Sequence, residues 1–320
     1  GTEIRERESL PGDMEAEAVV IGAGLAGILT AYYLKQAGIE AVVLEADRIG
    51  SGQTKNTTAK ITSQHNLIYD HLIRTFGARM AGQYANANQN AIEEYERLVR
   101  EKHIECDFTR APAFLYSVTH RAILLKETEA ARRLGIEASF GTDCELPFPI
   151  EGAMKFENQA KFHPLKFLSR MSEEVTVYER TKALKVEEDL IETDKGCVRA
   201  RCIVFASHFP FINIPGYYFA RMYQERSYIA AFQDAEDLEG MYLGIDRDGL
   251  SFRSFGETLL IGGGSHRTGV NRQGGQYEML KHRVSAWYPG CRETAHWSAQ
   301  DCMTPDGIPY IGRFSGRKQD

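Results

Sequence analysis

The stretch "AVVIGAGLAGILTAYYLKQAGIEAVVLEA", Ala18 to Ala46, decides the fold. No charged residue lies between Glu17 and Lys35, yet the uncharged run falls short of the roughly 20 apolar residues that a bilayer span needs. Its period also changes along its length. Val19, Val20 and Ile21 form a continuous β-branched run, as in a strand buried on both faces. After Gly24 the apolar positions Leu25, Ile28, Leu29, Tyr32 and Tyr33 fall at helical spacing, and Gly38 stands where a helix C′ glycine belongs. A second apolar run, Ala41 to Leu44, ends on Glu45. Strand, glycine turn, helix, glycine stop, strand and acid make a βαβ unit rather than a membrane span.

Gly22, Gly24 and Gly27 give the spacing G-x-G-x-x-G. The first permits the tight turn out of the strand, the second lets phosphate approach the backbone, and the third lets helix and strand pack closely. The helix N-terminal amides then face a pyrophosphate, where the helix dipole favours an anion. Glu45, eighteen residues beyond Gly27, stands near the roughly 20-residue spacing of the acid that binds a ribose hydroxyl. The competing reading, glycines for packing alone, leaves Glu45 as a mere strand end. The fingerprint does not choose between nicotinamide and flavin dinucleotides. Directly after the acid, "ADRIGSGQTKNTTAKITSQH" brings Arg48, Gly50, Gly52, Thr54, Asn56, Thr57 and Thr58, which either supply further donors to the pyrophosphate or form a polar surface turn.

The length of 320 residues and 43% hydrophobic content fit two domains. The net charge of −6 and scattered Lys and Arg exclude a nucleic-acid stripe. Six cysteines show no C-x-x-C pair and no histidine cluster, so no metal site is expected. With no signal peptide in the sequence, the expected compartment is the cytoplasm.

Residues 67–104 read as helical, with Gly77 breaking the run, and "CDFTRAPAFLYSV" reads as strand, turn, strand. "AILLKETEAARRLG" is an amphipathic helix stopping at Gly135. "VTVYERTKALKVEEDLIETDKGCVRARCIVFAS" reads as a short strand, two meander strands turning near Glu188 and at Lys195-Gly196, and a return to the dinucleotide domain. "SYIAAF", "MYLGI", "LSFRSF" and "TLLIGGG" indicate a second, mostly antiparallel sheet. The expected fold is α/β: a Rossmann-like domain over 15–66, 153–210 and 300–320, with an inserted substrate domain over 67–152 and 211–299 built on an antiparallel sheet flanked by helices.

Together with "RIGSGQT", "KFHPLKFL" and "TPDGIPYIG", these segments resemble the glycine/D-amino-acid oxidase (DAO) family of FAD-dependent oxidoreductases. "TKNTTAKITSQH" and "AQDCMTPDGIPYIG" look closer to a bacterial branch that appends a Rieske iron–sulfur domain, although no C-x-H ligand pair lies in this chain. The resemblance implies that Gly22, Gly24 and Gly27 hold the FAD pyrophosphate and Glu45 the adenosine ribose. It places Arg48, Thr57 and Thr58 along the cofactor and the backbone near Ala183 against adenine. It implies an amine or amino acid as substrate, hydride transfer from its α-carbon to flavin, and an iron–sulfur protein as a possible electron acceptor. A dioxygen-using oxidase and a noncatalytic electron-relay module are the alternatives.

Departures from the family pattern carry further expectations. "FASHF" replaces the usual Ala-Thr-Gly, which makes His208 either an active-site group or a structural histidine. Asn56 holds the place of a flavin-linking histidine, which favours noncovalent FAD, and Leu260 that of a lysine promoting reaction with dioxygen. Asp301 stands where many members place a carboxylate-binding arginine, so a simple α-amino carboxylate should be disfavoured. Tyr223, Tyr228, Tyr242, Arg253 and His266 are further candidates for the pocket, and packing is as good an account of each. The family normally continues after "DGIPYIG" into a strand, a glycine turn and a helix facing the flavin pyrimidine. The chain ends at "RFSGRKQD", so a shortened form with weak FAD affinity and low turnover is expected.

Overall fold

The computed structural model describes residues 2–212, 217–270 and 274–313. In chain order the first strands are β1 (Met14–Ile21), β2 (Ala41–Leu44), β3 (Lys60–Ile61), β4 (Thr109–Ser117), β5 (Ala138–Gly141), β6 (Gly152–Lys161) and β7 (Thr176–Tyr178). They are followed by β8 (Ala183–Glu187), β9 (Leu190–Thr193), β10 (Cys197–Phe205), β11 (Tyr223–Gln233), β12 (Met241–Gly244), β13 (Ser251–Phe255), β14 (Thr258–Arg267) and β15 (Arg292–Met303). The α-helices are α1 (Leu25–Gln36), α2 (Tyr69–Glu101), α3 (Arg121–Arg133), α4 (Pro164–Met171) and α5 (Gln276–Trp287). Two sheets result, ordered β7-β2-β1-β10-β9-β8 and β15-β11-β14-β13-β12-β4-β6-β3, with β5 paired to β6. The α/β class, a Rossmann-like unit joined to a larger and mostly antiparallel sheet, is the one the patterning predicts.

The first sheet is built on β1, whose Ala18, Val19 and Val20 are wholly buried between parallel neighbours β2 and β10. α1 folds back over it through Ile28, Ala31 and Tyr32, each buried. Burial of a large apolar side chain contributes about 1.5–3 kcal/mol, which fixes the helix axis and hence the direction of its N-terminal amides. β8 and β9 form the expected hairpin, with Glu188 at φ 49° in the turn.

In the second unit α2 bends at Gly77, which leaves helical geometry at φ 79°, ψ 161°. Its start has no local side-chain cap. Instead the buried Glu127 carboxylate of α3 accepts from the amides of Ile68, Tyr69 and Asp70 at 2.8, 2.6 and 3.1 Å. Sequence spacing cannot reveal a cap supplied from a different helix.

Three expectations change. The "CDFTRAPAFLYSV" segment holds one strand, β4, rather than two, because Pro112 is accommodated at a bulge between Ala111 and Ala113. Residues 153–161 and 300–303, read as parts of the dinucleotide domain, run in the second sheet, where β6 pairs with β4 and β15 with β11. α5, absent from the sequence reading, covers that sheet through Leu280 and Val284. Among the described residues no helix is long and apolar enough to cross a membrane.

Candidate functional site

The site begins where β1 ends. Gly22 has φ 109°, and a β-carbon there would lie 2.7 Å from Ala206 O at the exit of β10. A β-carbon on Gly27 would lie 1.8 Å from Gly22 O, so α1 touches the turn closely enough to exclude any side chain. The first turn of α1 carries no acidic residue, and the Leu25 amide donates to Thr54 Oγ1 at 3.3 Å. The first turn of α1 thus presents helix-dipole charge with no acidic side chain of its own to repel a phosphate. Glu45, at the tip of β2, accepts from Ala23 N at 2.8 Å through Oε2 and from Asp47 N at 2.9 Å through Oε1. A carboxylate has about four lone-pair sites, so two remain for a ribose diol. A glycine cradle, the N-terminal end of α1 and a half-buried acceptor together fit the pyrophosphate and ribose of FAD.

The loop after Glu45 is stitched to the second sheet at three successive points. Gln53 Oε1 accepts from Gln300 N at 3.0 Å, and Asn56 O accepts from Trp297 Nε1 at 2.9 Å. Thr58 O accepts from Arg253, whose other terminal nitrogen reaches Phe162 O at 3.0 Å. Directly opposed residues of antiparallel strands share a face. Trp297 of β15, Arg253 of β13 and its partner Leu260 of β14 therefore lie on the face turned toward this loop. Asp301, four residues beyond Trp297, lies on that face too; the residue stays exposed at the surface, partial desolvation raises its carboxyl, and the neighbouring His208 partly offsets this. His208 has φ 66° and its Nε2 contacts Gln300 O at 2.7 Å.

Of the residues named from sequence, Gly22, Gly24, Gly27, Glu45, Thr57, Thr58, Arg253, Asp301 and His208 gather around this loop. Tyr228, Tyr242 and His266 do not. Tyr228 points to the opposite face, where its hydroxyl meets His266 Nε2 at 3.0 Å and its ring meets Tyr277 of α5 at 5.1 Å. Tyr242 stacks on Phe114 at 4.6 Å and donates to Glu145 at 2.8 Å. A bulge between Arg226 and Tyr228 shifts the β11–β14 register, a step that alternation alone does not show. Tyr223 is covered by the Arg267 guanidinium at 5.3 Å. Arg48 is also placed differently from a phosphate ligand, since its guanidinium is committed to Glu179, Glu6 and Ile4 O. Ala183 is buried beside Leu10 and Ile191 at the edge of the first sheet.

Sequence reasoning did not single out Trp297 or Lys60 as site residues. Lys60, two residues past Thr58, donates to Tyr242 O at 3.0 Å; burial and the nearby Arg253 push its ammonium down to about 7. Its strand, β3, is two residues long and leaves no periodic signal. Among the described residues no group of acids, histidines or cysteines could hold a metal.

Replacing Glu45 by alanine should cost about 1.5–3 kcal/mol of FAD affinity, the scale of a hydrogen bond to a charged group. Equilibrium dialysis measures it, and an unchanged affinity would place the ribose elsewhere.

A putative Rieske 2Fe-2S iron–sulfur protein, YhfW of Bacillus subtilis (strain 168), is 37% identical over 331 residues, covering 98% of this chain and 65% of its own length. Gamma-glutamylputrescine oxidoreductase of Escherichia coli (strain K12) is 23% identical over 219 residues, 63% of this chain and 51% of its own length. The chain thus spans about half to two thirds of these relatives. The fold matches glycine oxidase from Geobacillus kaustophilus with TM-score 0.76 at 18% identity, over 95% of this chain and 87% of that one. L-proline dehydrogenase from P. horikoshii matches with TM-score 0.75 at 18% identity, over 95% and 85%. The family described as FAD dependent oxidoreductase matches residues 17–318, a span that takes in the glycine turn, the stitched loop and the sheet above it, and the chain belongs to that DAO family.

Proposed function

We propose that the chain oxidises the C–N bond of an amine or amino acid, with FAD bound noncovalently as hydride acceptor, and that it works as a dehydrogenase. The observation that carries this reading is the stitching of Gln53, Asn56 and Thr58 to one face of the second sheet. It sets a wall of side chains over the loop, where the flavin would lie. Bound FAD would supply the two-electron acceptor; an imine left by hydride loss is then hydrolysed by water. The chain's own residues bind and orient. Leu260, apolar and opposite Arg253 on the wall, favours a dehydrogenase over an oxidase, because it brings no charge to bind reduced dioxygen. Asn56 in the loop offers no linking nucleophile, and acid precipitation should leave the yellow cofactor in the supernatant.

Asp301 supports the choice of substrate. Its carboxyl, on the face turned toward the loop, accepts a neutral or cationic amine better than a second carboxylate. Bound flavin should bleach anaerobically with an amine from a panel and should respond slowly to glycine or ordinary D-amino acids. Rapid reduction by glycine would remove the role given to Asp301. The 37% identity to a protein named for a Rieske centre supports an iron–sulfur protein as electron acceptor. Low peroxide yield in air, with turnover restored by an artificial one-electron acceptor, is the expected result; stoichiometric peroxide selects the oxidase alternative.

A further inference from the structure

A strap formed by residues 4–13 precedes the family match, which begins at residue 17, yet it is bonded into the cofactor side of the first sheet. Glu179 N donates to Glu8 O at 3.1 Å, Leu10 N donates to Thr181 Oγ1 at 3.0 Å, and Arg7 Nη2 donates to Ser172 O at 3.3 Å. Glu6 pairs with both Arg48 and Arg180. A cleft of 690 Å³ separates the strap from the Arg48–Ser51 turn, lined among others by Ile4, Glu6, Lys55 and Leu165.

At the centre lies Glu179, whose exposure is 0%. Its Oε1 accepts from Ile49 N at 2.7 Å, its Oε2 accepts from Arg7 N at 2.9 Å, and Arg48 Nε stands 2.9 Å from Oε2 as an ion pair. The next residues continue the chain of bonds toward the cofactor. Gly50 N donates to Ala23 O at 3.0 Å, and Ala23 N donates to Glu45 Oε2 at 2.8 Å. The backbone amides of Arg180 and Thr181 donate to Asp47 O and Glu45 O at 3.0 and 2.8 Å. No neutral side chain accepts from two amides and pairs with a guanidinium at once, and removal of one partner from such a buried set leaves the others unpaired.

We infer that Glu179, braced by the N-terminal strap through Arg7, Glu6 and Arg48, is the positioning residue that sets Glu45 and the glycine turn for the adenosine half of FAD. Arg48 acts in this account as a brace for the turn and not as a phosphate ligand. The inference concerns cofactor geometry and stands whichever substrate the site takes.

The test compares wild type, Glu179→Gln and Glu6→Gln as full chains, with ADP as a probe of the adenosine half and FAD as the whole ligand. Glutamine keeps the shape of Glu179 but loses the charge and turns an amide toward one of its donors. Dissociation constants for ADP and FAD should rise about ten-fold or more in Glu179→Gln and about two- to five-fold in Glu6→Gln. At saturating FAD the visible flavin band should match wild type, because the isoalloxazine end is untouched. ADP affinity unchanged in folded Glu179→Gln overturns the inference. So does a flavin band altered together with the affinity, which marks general damage to the fold. If Glu179→Gln does not fold, the exposed Glu6→Gln decides alone, and unchanged ADP affinity in it overturns the inference.

Discussion

Substitution of Gly27 by alanine should abolish FAD retention and lower stability by about 3 kcal/mol, the upper range for forcing a methyl group into a packed interface. The new β-carbon would sit 1.8 Å from Gly22 O, a backbone atom that cannot rotate away. α1 must then withdraw from β1, carrying its N-terminal amides off the pyrophosphate and loosening Ile28 and Ala31 in the core. Gly82 in α2 is the control, since nothing lies within 4 Å of its β-carbon position. Gly82→Ala should be neutral or stabilise by up to about 1 kcal/mol through helix propensity. Equilibrium dialysis with FAD and thermal unfolding read both variants. Retention of stoichiometric FAD by Gly27→Ala would show that the turn does not seat the pyrophosphate.

Lys60 should make stability rise as pH rises. Burial and the Arg253 charge lower its ammonium from 10.5 to about 7, and no ion pair with a carboxylate offsets this among the described residues. The folded state therefore disfavours the proton that the unfolded chain keeps. Below pH 7 the full penalty is present; between about 7 and 10.5 the unfolded chain binds more protons, so stability climbs and the penalty disappears. Its size is on the order of 3 kcal/mol for a shift of this kind at a half-buried group. The surrounding charges are Arg253 on β13 and Lys161, the cross-strand partner on β6; Glu145, Asp237 and Glu239 act on Lys161. Lys60→Met should raise stability at pH 7 by about 2 kcal/mol, allowing for the lost bond to Tyr242 O, and flatten the rise above it. Denaturant unfolding at pH 7 and 9 measures this, and parallel curves for the two proteins would refute it.

The parts of the fold legible in the sequence are those with a strong period or a steric demand. β1, α1 and β2 follow from one apolar run punctuated by glycines, and the β8–β9 hairpin from its turn residues. Glu45 follows from spacing alone. What alternation could not give is the side of a strand that a bulge reverses, which is why His266, plausible from sequence, stands behind the wall beside Tyr228. Contacts between residues far apart in sequence were also invisible. Glu127 capping α2, Arg253 holding Thr58 O and Glu179 holding Ile49 depend on tertiary placement, and the two glutamates read in sequence as ordinary surface charges. Domain limits drawn from the return of a dinucleotide pattern grouped β6 and the last four residues of β15 with the first sheet, because a strand's partner is set by packing and not by its own composition.

The most direct measurement is anaerobic stopped-flow reduction of the FAD-loaded protein by an amine from the panel, carried out with hydrogen and then deuterium on the carbon bearing nitrogen. Full bleaching of the flavin band is expected, slower with deuterium because the C–H bond breaks in the step observed, and weaker or absent when FAD is not seated, as in Gly27→Ala. A chain that binds FAD stoichiometrically yet is bleached by no amine or amino acid in the panel would contradict it and select the electron-relay reading.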